Sequence, residues 1–261
     1  MTIIRIFFKR NESFPVFPVL KEREEFKMAI LTVTIDEAGY EEKQPVIHRI
    51  EFTLHKGEWI GIIGPNGAGK STTIKALLGV LEYVKGVINK QEQCRYAYIP
   101  EKPIFYEHLT LWEHLDLLAS INNINDEILN NRSKTYLEVF KMDKVKHEMP
   151  ATFSKGMQQK VMIIQALLLQ PDFYIVDEPF IGLDPSAIKM FLTVMEQERE
   201  RGAGILMSTH VLDTAEKICD RFLLISEGTK VAEGTLQQLQ SAIGIGNASL
   251  LECFHAMAEG R

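Results

Sequence analysis

The sequence predicts an α/β fold in which a mainly parallel sheet is wrapped by helices on both faces. Short apolar runs suited to buried strands recur at Trp59–Ile63, 173–176, 205–208 and 222–225. Between them lie longer stretches that carry helix caps and helical apolar spacing. Parallel neighbours need a crossover of a dozen or more residues, which helices of this kind supply.

The elements follow in order. Residues 30–35 and 50–55 alternate apolar with polar side chains, as half-exposed strands do. Trp59–Ile63 is continuously apolar and reads as a buried strand; a glycine-rich loop then opens a helix that stops near Gly79. Residues 87–89 and Tyr96–Ile99 are further short strands. Thr110 with Glu113 three residues on is a capping box, so a helix starts there, and helices fill most of 111–146. Ser154 suits the N-cap of a helix over Lys155–Leu169. After the strand at 173–176, Asp184 caps a helix with Pro185 at its first position, Ile188, Leu192 and Met195 on one face and Gly202 at its end. Strands at 205–208, 222–225 and 230–232 precede closing helices at 235–242 and 249–258.

Composition narrows the class. Of 261 residues, 46% are hydrophobic and 25% charged, which are ordinary globular values. A net charge of −6 argues against a wholesale basic surface, hence no nucleic-acid partner is expected. Cys94, Cys219 and Cys253 have no metal-ligand spacing and read as reduced thiols. No apolar run approaches the ~18 residues that span a bilayer, so a membrane role requires a partner. Residues 1–27 differ from the rest: Pro15 and Pro18 sit among Phe14, Val16 and Phe17, and the charged run 21–25 follows. They read either as an appendage ahead of a natural start at Met28 or as a short docking arm. His108 and His114 lack metal spacing and suit surface or packing roles.

The loop after Trp59–Ile63 carries the first chemistry. Gly64, Pro65, Asn66, Gly67, Ala68, Gly69, Lys70 and Ser71 fit G-x-x-x-x-G-K-[ST] between a strand and a helix, the context this phosphate-binding loop requires. Its glycines let backbone N–H groups face phosphate oxygens, and the helix N-terminus adds positive potential. Lys70 reaches the β- and γ-phosphates, Ser71 offers a hydroxyl to Mg²⁺, and Thr72 adds a phosphate contact. Asp177 and Glu178 end an apolar strand. Asp177 can hold the magnesium through water, and Glu178 can orient and deprotonate an attacking water. His210 ends the next apolar run, where it could contact the γ-phosphate and that water.

Together these residues resemble the nucleotide-binding subunit of ABC transporters, from about Ala29 to the C-terminus. The discriminating stretch is Phe153, Ser154, Lys155, Gly156 and Met157, which is similar to the family's signature Leu-Ser-Gly-Gly-Gln. The resemblance implies a P-loop NTPase of ABC type over 28–261: a mainly parallel sheet core, an antiparallel β subdomain and a helical subdomain at about 102–151. It implies ATP hydrolysis with Mg²⁺. It implies a head-to-tail dimer of two such chains, and a polytopic membrane subunit as partner at the cytoplasmic face of the cell membrane. Tyr40 stands where the family stacks an aromatic on adenine. Ser154 and Gly156 would contact the γ-phosphate held by the other chain, and Asp184 lies in the loop that communicates across the dimer. Glu101 takes the place of the family's Gln beside the metal. Three residues depart from the pattern: Lys155 for Gly, Met157 for Gln, and Glu101 for Gln. Residues 98–103, 113–115, 153–157 and 208–210 further resemble ATPases of bacterial exporters.

Three other classes are weighed. A chromosome-handling ABC ATPase would insert a coiled coil or zinc module, and the sequence has no long heptad stretch and no CxxC. A ribosome-acting ABC factor would usually carry two P-loops; one is present. A non-catalytic ATP switch would not need Glu178 and His210.

Overall fold

The computed structural model describes residues 28–259; the stretch expected to be an appendage, 1–27, lies outside them. The chain runs β1 (Ala29–Glu41), β2 (Gln44–His55), β3 (Trp59–Ile63), α1 (Lys70–Leu78), β4 (Tyr83–Lys90), β5 (Tyr96–Ile99), α2 (Leu111–Ile121), α3 (Asp126–Val139), α4 (Lys155–Leu169), β6 (Phe173–Asp177), α5 (Pro185–Glu200), β7 (Gly204–Thr209), α6 (Leu212–Ile218), β8 (Arg221–Ser226), β9 (Thr229–Gly234), α7 (Leu236–Ile243) and α8 (Leu250–Glu259). One nine-stranded sheet takes the order β4-β1-β2-β9-β8-β3-β7-β6-β5.

The sheet is parallel through its helix-covered core and antiparallel at the β1, β2 and β4 end and in the β8–β9 hairpin. β3 pairs in parallel with β7 and β8, and β6 with β5 and β7. β1 pairs antiparallel with β2 and β4, which forms the expected antiparallel arm, and β8 with β9. β1 and β2 extend beyond the expected 30–35 and 50–55. Each gains its extra residues from the other, down to the Glu41–Gln44 pair at the hairpin end. β4 likewise spans eight residues where three were expected, because it lies along β1.

Alternation along the buried strands divides the core. Ile60, Ile62, Phe173, Ile175 and Leu206 join Ile74 and Leu77 of α1 in one cluster. Trp59, Tyr174, Val176, Ile205 and Met207 face the other way, onto Val161, Ile164 and Leu168 of α4 and Phe191 and Met195 of α5. Each such side chain, taken from water, contributes about 1.5–3 kcal/mol. Ile63, Phe222 and Leu224 meet Ala215, Leu239 and Leu250 of α6, α7 and α8 in a third cluster. The helices therefore cover both faces.

Cap chemistry sets several helix starts. Thr110 and Glu113 form the expected capping box, and Ser154 Oγ and Asp184 Oδ1 accept the N–H groups of Met157 and Ala187. Thr235 with Gln238 forms another box at α7. The buried face of α5 lies one step from the expected one: Ala187, Phe191, Val194, Met195 and Glu198 are buried, whereas Ile188 and Leu192 are half-buried. The polar member, Glu198, accepts from the Tyr174 hydroxyl and from Arg201, which removes the cost of burying it. Helix α6 was not expected from the sequence; it has no side-chain cap and buries one residue, Ala215.

α2 and α3 lie within the region expected as a helical subdomain, about 102–151, and pack on α4, which lies beyond it. The orphan N–H groups of Leu111 and Trp112 at the start of α2 donate to Glu148 O and Lys146 O. His114 is buried and fills a packing role, as expected. Its Nδ1 lies 2.8 Å from Thr110 O, which can only accept, and its Nε2 accepts the Tyr106 N–H at 3.0 Å. Those partners fix a neutral, Nδ1-protonated ring that pins 106–110 to α2. His114→Ala should therefore lower stability by about 1–3 kcal/mol, the cost of stranding a buried hydrogen-bonding group. Urea unfolding would read it; an unchanged midpoint would refute the pin.

Candidate functional site

Strand β3 ends at Ile63, and residues 64–69 then wrap over the N-terminus of α1. Gly69 sits at φ +106, and a Cβ there would lie 2.7 Å from Ile47 Cγ2; one at Gly64 would lie 2.3 Å from Ile225 O. Both positions exclude a side chain, so the loop packs directly against β2 and β8. The turn between β8 and β9 holds it from outside, since Gly228 N–H donates to Ala68 O at 2.9 Å.

The loop forms one wall of a cleft of about 440 Å³ lined by Val46, Asn66, Gly67, Gly69, Lys70, Ser71, Thr72, Glu101, Glu178, Ile181 and His210. Residues far apart in sequence meet here because β3, β7, β6 and β5 are neighbours and parallel, so their C-terminal ends open on one edge. Lys70 is nearly buried, and its Nζ donates to Gly64 O at 2.8 Å and to Pro65 O at 3.2 Å. The ammonium also lies 3.5 Å from Glu178 Oε1.

The two acids are held differently. Asp177 Oδ1 accepts from Ser208 Oγ at 2.5 Å and from Ser71 Oγ at 3.4 Å. Burial pushes the Asp177 carboxyl up; Ser208 and Ser71 pull it down, and Glu101 and Glu178 push it up further. Glu178 turns the chain at φ +47, and its Oε2 lies 2.8 Å from His210 Nδ1. Its Oε1 is buried with no hydrogen-bond partner. A buried carboxylate oxygen left open beside a lysine suits a water whose proton it would accept.

Ser71, Asp177 and Glu101 present only hard oxygen donors. Magnesium takes one or two carboxylates and completes its shell with phosphate and water, so this set fits it. Among the described residues no group of three or more His, Cys, Asp or Glu is arranged to hold a metal alone.

Other expected site residues do not line the cleft itself. Tyr40 is half-exposed beside Thr72, which does line it; its hydroxyl accepts from Lys75 Nζ at 3.0 Å, and Lys75 and Thr72 both pull its pKa down. Ser154, Lys155, Gly156 and Met157 start α4 and do not line the cleft either. A Cβ on Gly156 would lie 2.6 Å from Gly182 O. The loop that reaches Asp184 thus has Ile181 in the cleft and Gly182 against α4. Val46, Ser208 and Gly228 were missed from the sequence. Only Ser208 had a local signal, a polar residue closing an apolar strand beside His210.

The sequence model of the ABC transporter family matches residues 47–181. The chain is 52% identical over 231 residues to the ABC transporter ATP-binding protein YthP of Bacillus subtilis (strain 168), covering 88% of this chain and 98% of that protein. It is 42% identical over 233 residues to the ABC-type transporter ATP-binding protein EcsA of the same organism, covering 85% and 94%. YthP is thus nearer than EcsA. A solved ATP-binding subunit of an ABC transporter superposes with a TM-score of 0.83 at 42% identity, covering 87% of this chain and 99% of that one.

Proposed function

The chain belongs to the ABC transporter family as an ATP-binding subunit, an ATPase, and from that premise we propose that it pairs head to tail with a second copy and powers transport through a separate polytopic membrane subunit. The observation that carries this reading is the split of the site. Lys70, Ser71, Glu101, Glu178 and His210 share one cleft, while Ser154 and Gly156 lie outside it. A second chain is what would bring a signature stretch to that cleft.

In this reading each ATP sits on residues 66–72 with Tyr40 against the base, and the other chain's Ser154 and Gly156 close over the γ-phosphate. ATP supplies contacts the empty pair lacks, so binding favours the closed pair. Ser71, Asp177 and Glu101 would hold magnesium, which when bound offsets charge on the phosphates. Lys70 leaves the carbonyls of Gly64 and Pro65 for phosphate oxygens. Glu178 takes the proton of the attacking water, with His210 fixing its other oxygen. Charge developing on the phosphate meets Lys70 and the backbone cradle, so electrostatic positioning does most of the catalysis.

Residues 102–151 would act as a helical subdomain that passes closure to the membrane subunit, with the chain at the cytoplasmic face. Among the described residues no helix is long and apolar enough to cross a membrane. Outward transport as the direction rests on the likeness of 98–103, 113–115, 153–157 and 208–210 to exporter ATPases.

Tagged chain extracted from native membranes should retain a polytopic protein whose release accompanies loss of transport; recovery with no such protein would overturn the reading. Tyr40→Ala should weaken ATP binding by about 1–3 kcal/mol if stacking is worth what it is for nucleic-acid bases. Calorimetry reads this, and unaltered affinity would leave Tyr40 a surface residue tied to Lys75.

A further inference from the structure

We propose that Ser208, in β7, is a positioning residue that sets both acids of the cleft with one hydroxyl; this rests on the roles proposed above for Asp177 and Glu178. Ser208 is fully buried and lies opposite Asp177 across the β6–β7 ladder. Its Oγ donates to Asp177 Oδ1 at 2.5 Å, and the same Oγ accepts the Glu178 N–H at 3.2 Å. A hydroxyl has one proton and two lone pairs, and a carboxylate only accepts. The proton is therefore committed to Asp177, and a lone pair to the Glu178 amide.

Each bond has a separate consequence. On Asp177, Ser208 and Ser71 address the same oxygen, Oδ1, so Oδ2 is left to other partners. On Glu178, the amide is held twice, by Ser208 Oγ and by Ser208 O at 3.1 Å. That double hold keeps Glu178 at φ +47, a conformation costly for a residue with a side chain. Successive strand residues point to opposite faces. The left-handed turn is what brings the Glu178 carboxylate to Lys70 and His210 in the cleft where Ser71 meets Asp177.

The test is Ser208→Ala in the full chain, with ATP binding titrated against Mg²⁺ and Mn²⁺ and with steady-state hydrolysis. Loss of a partner behind a metal-holding carboxylate typically costs ~10–100-fold in metal affinity or activity. The half-saturating metal concentration for ATP binding should rise by about that factor, while ATP affinity in excess chelator stays unchanged. At saturating metal, kcat should fall by a similar factor with KM for ATP moving less than ~2-fold, since Glu178 is disoriented but the phosphate loop is not. Unchanged metal dependence and unchanged kcat would overturn the proposal. So would an equal loss with and without metal, which marks a general structural defect. Asp177→Asn is the discriminating background. If it abolishes the metal requirement and Ser208→Ala changes the metal dependence no further there, Ser208 acts on the metal through Asp177. If Asp177→Asn leaves the requirement intact, the assignment of Asp177 falls and takes this proposal with it. If Asp177→Asn abolishes it and Ser208→Ala alone changes nothing, only the proposal falls.

Discussion

Glu178→Gln is expected to slow ATP hydrolysis by ~10²–10⁴-fold, the usual loss with a general base, while ATP binding is kept. The substitution preserves length and shape. The Gln carbonyl can still accept from His210 Nδ1, which now lies 2.8 Å from Oε2. What disappears is the basic oxygen: Oε1 is buried, makes no hydrogen bond, and has the Lys70 ammonium 3.5 Å away. Removing that negative charge also frees Lys70 for phosphate, so affinity should stay level or improve. Phosphate release and equilibrium dialysis with labelled nucleotide separate the two quantities. Turnover near that of the parent chain would take Glu178 out of the role.

The parts of this site that the sequence made legible are those whose physics is local. The phosphate loop needs glycines, a lysine and a hydroxyl at fixed offsets, so Gly64 to Thr72 could be read directly. Ser154, Thr110 with Glu113, and Asp184 could be placed as caps because a side-chain oxygen reaches an N–H only three residues on. What stayed hidden depends on pairing across the sheet. Val46 reaches the cleft because β2 continues beyond its alternating stretch and bulges there: Ala38 pairs with Ile47 and Gly39 with Pro45, which leaves Val46 as the extra residue, and a second bulge leaves Tyr40 extra on β1. Those bulges break the period-two pattern that marks a strand. Helix α6 has no capping side chain and only seven residues, so the narrow stripe of Leu212 and Ala215, with Cys219 just past its end, was too short to stand out. On α5 the sequence offered two apolar stripes, and the polar Glu198 disguised the one that packs, because only the fold reveals Tyr174 and Arg201 waiting for it.

The three departures from the family pattern fall on two sides of the site, and this bears on what each can change. Glu101 lines the cleft and adds to the push that burial gives the Asp177 carboxyl, so its effect is on the charge around that acid. Lys155 and Met157 lie at the start of α4 outside the cleft; Lys155 is exposed, whereas Met157 is partly buried and packs against the core. Lys155 is an added cation at a helix N-terminus, where it is mildly disfavoured in the isolated chain and would be relieved by a phosphate brought to it.

Ser154→Arg tests that second surface, and it should abolish the ATP-dependent dimer. Ser154 is exposed, and its side chain contributes the cap bond, in which Oγ accepts the Met157 N–H at 3.3 Å. Losing the cap costs about 0.5–2 kcal/mol, which a chain of this size tolerates. The residue does not line its own chain's cleft, so ATP affinity of the single chain should hold. An arginine there extends from the α4 terminus into the space the facing phosphate loop must occupy, and closure is blocked sterically. Hydrolysis should fall with the dimer, because the γ-phosphate keeps only half of its contacts. Light scattering in the Glu178→Gln background, with and without ATP, reads the pairing. Ser154→Ala is the control: it removes the same cap and the same hydroxyl without adding bulk, so pairing that is weakened there but absent in Ser154→Arg marks the steric block. A dimer that persists in Ser154→Arg, or a lone protomer that hydrolyses ATP at the full rate, would sink the head-to-tail arrangement even though the phosphate loop itself remained intact.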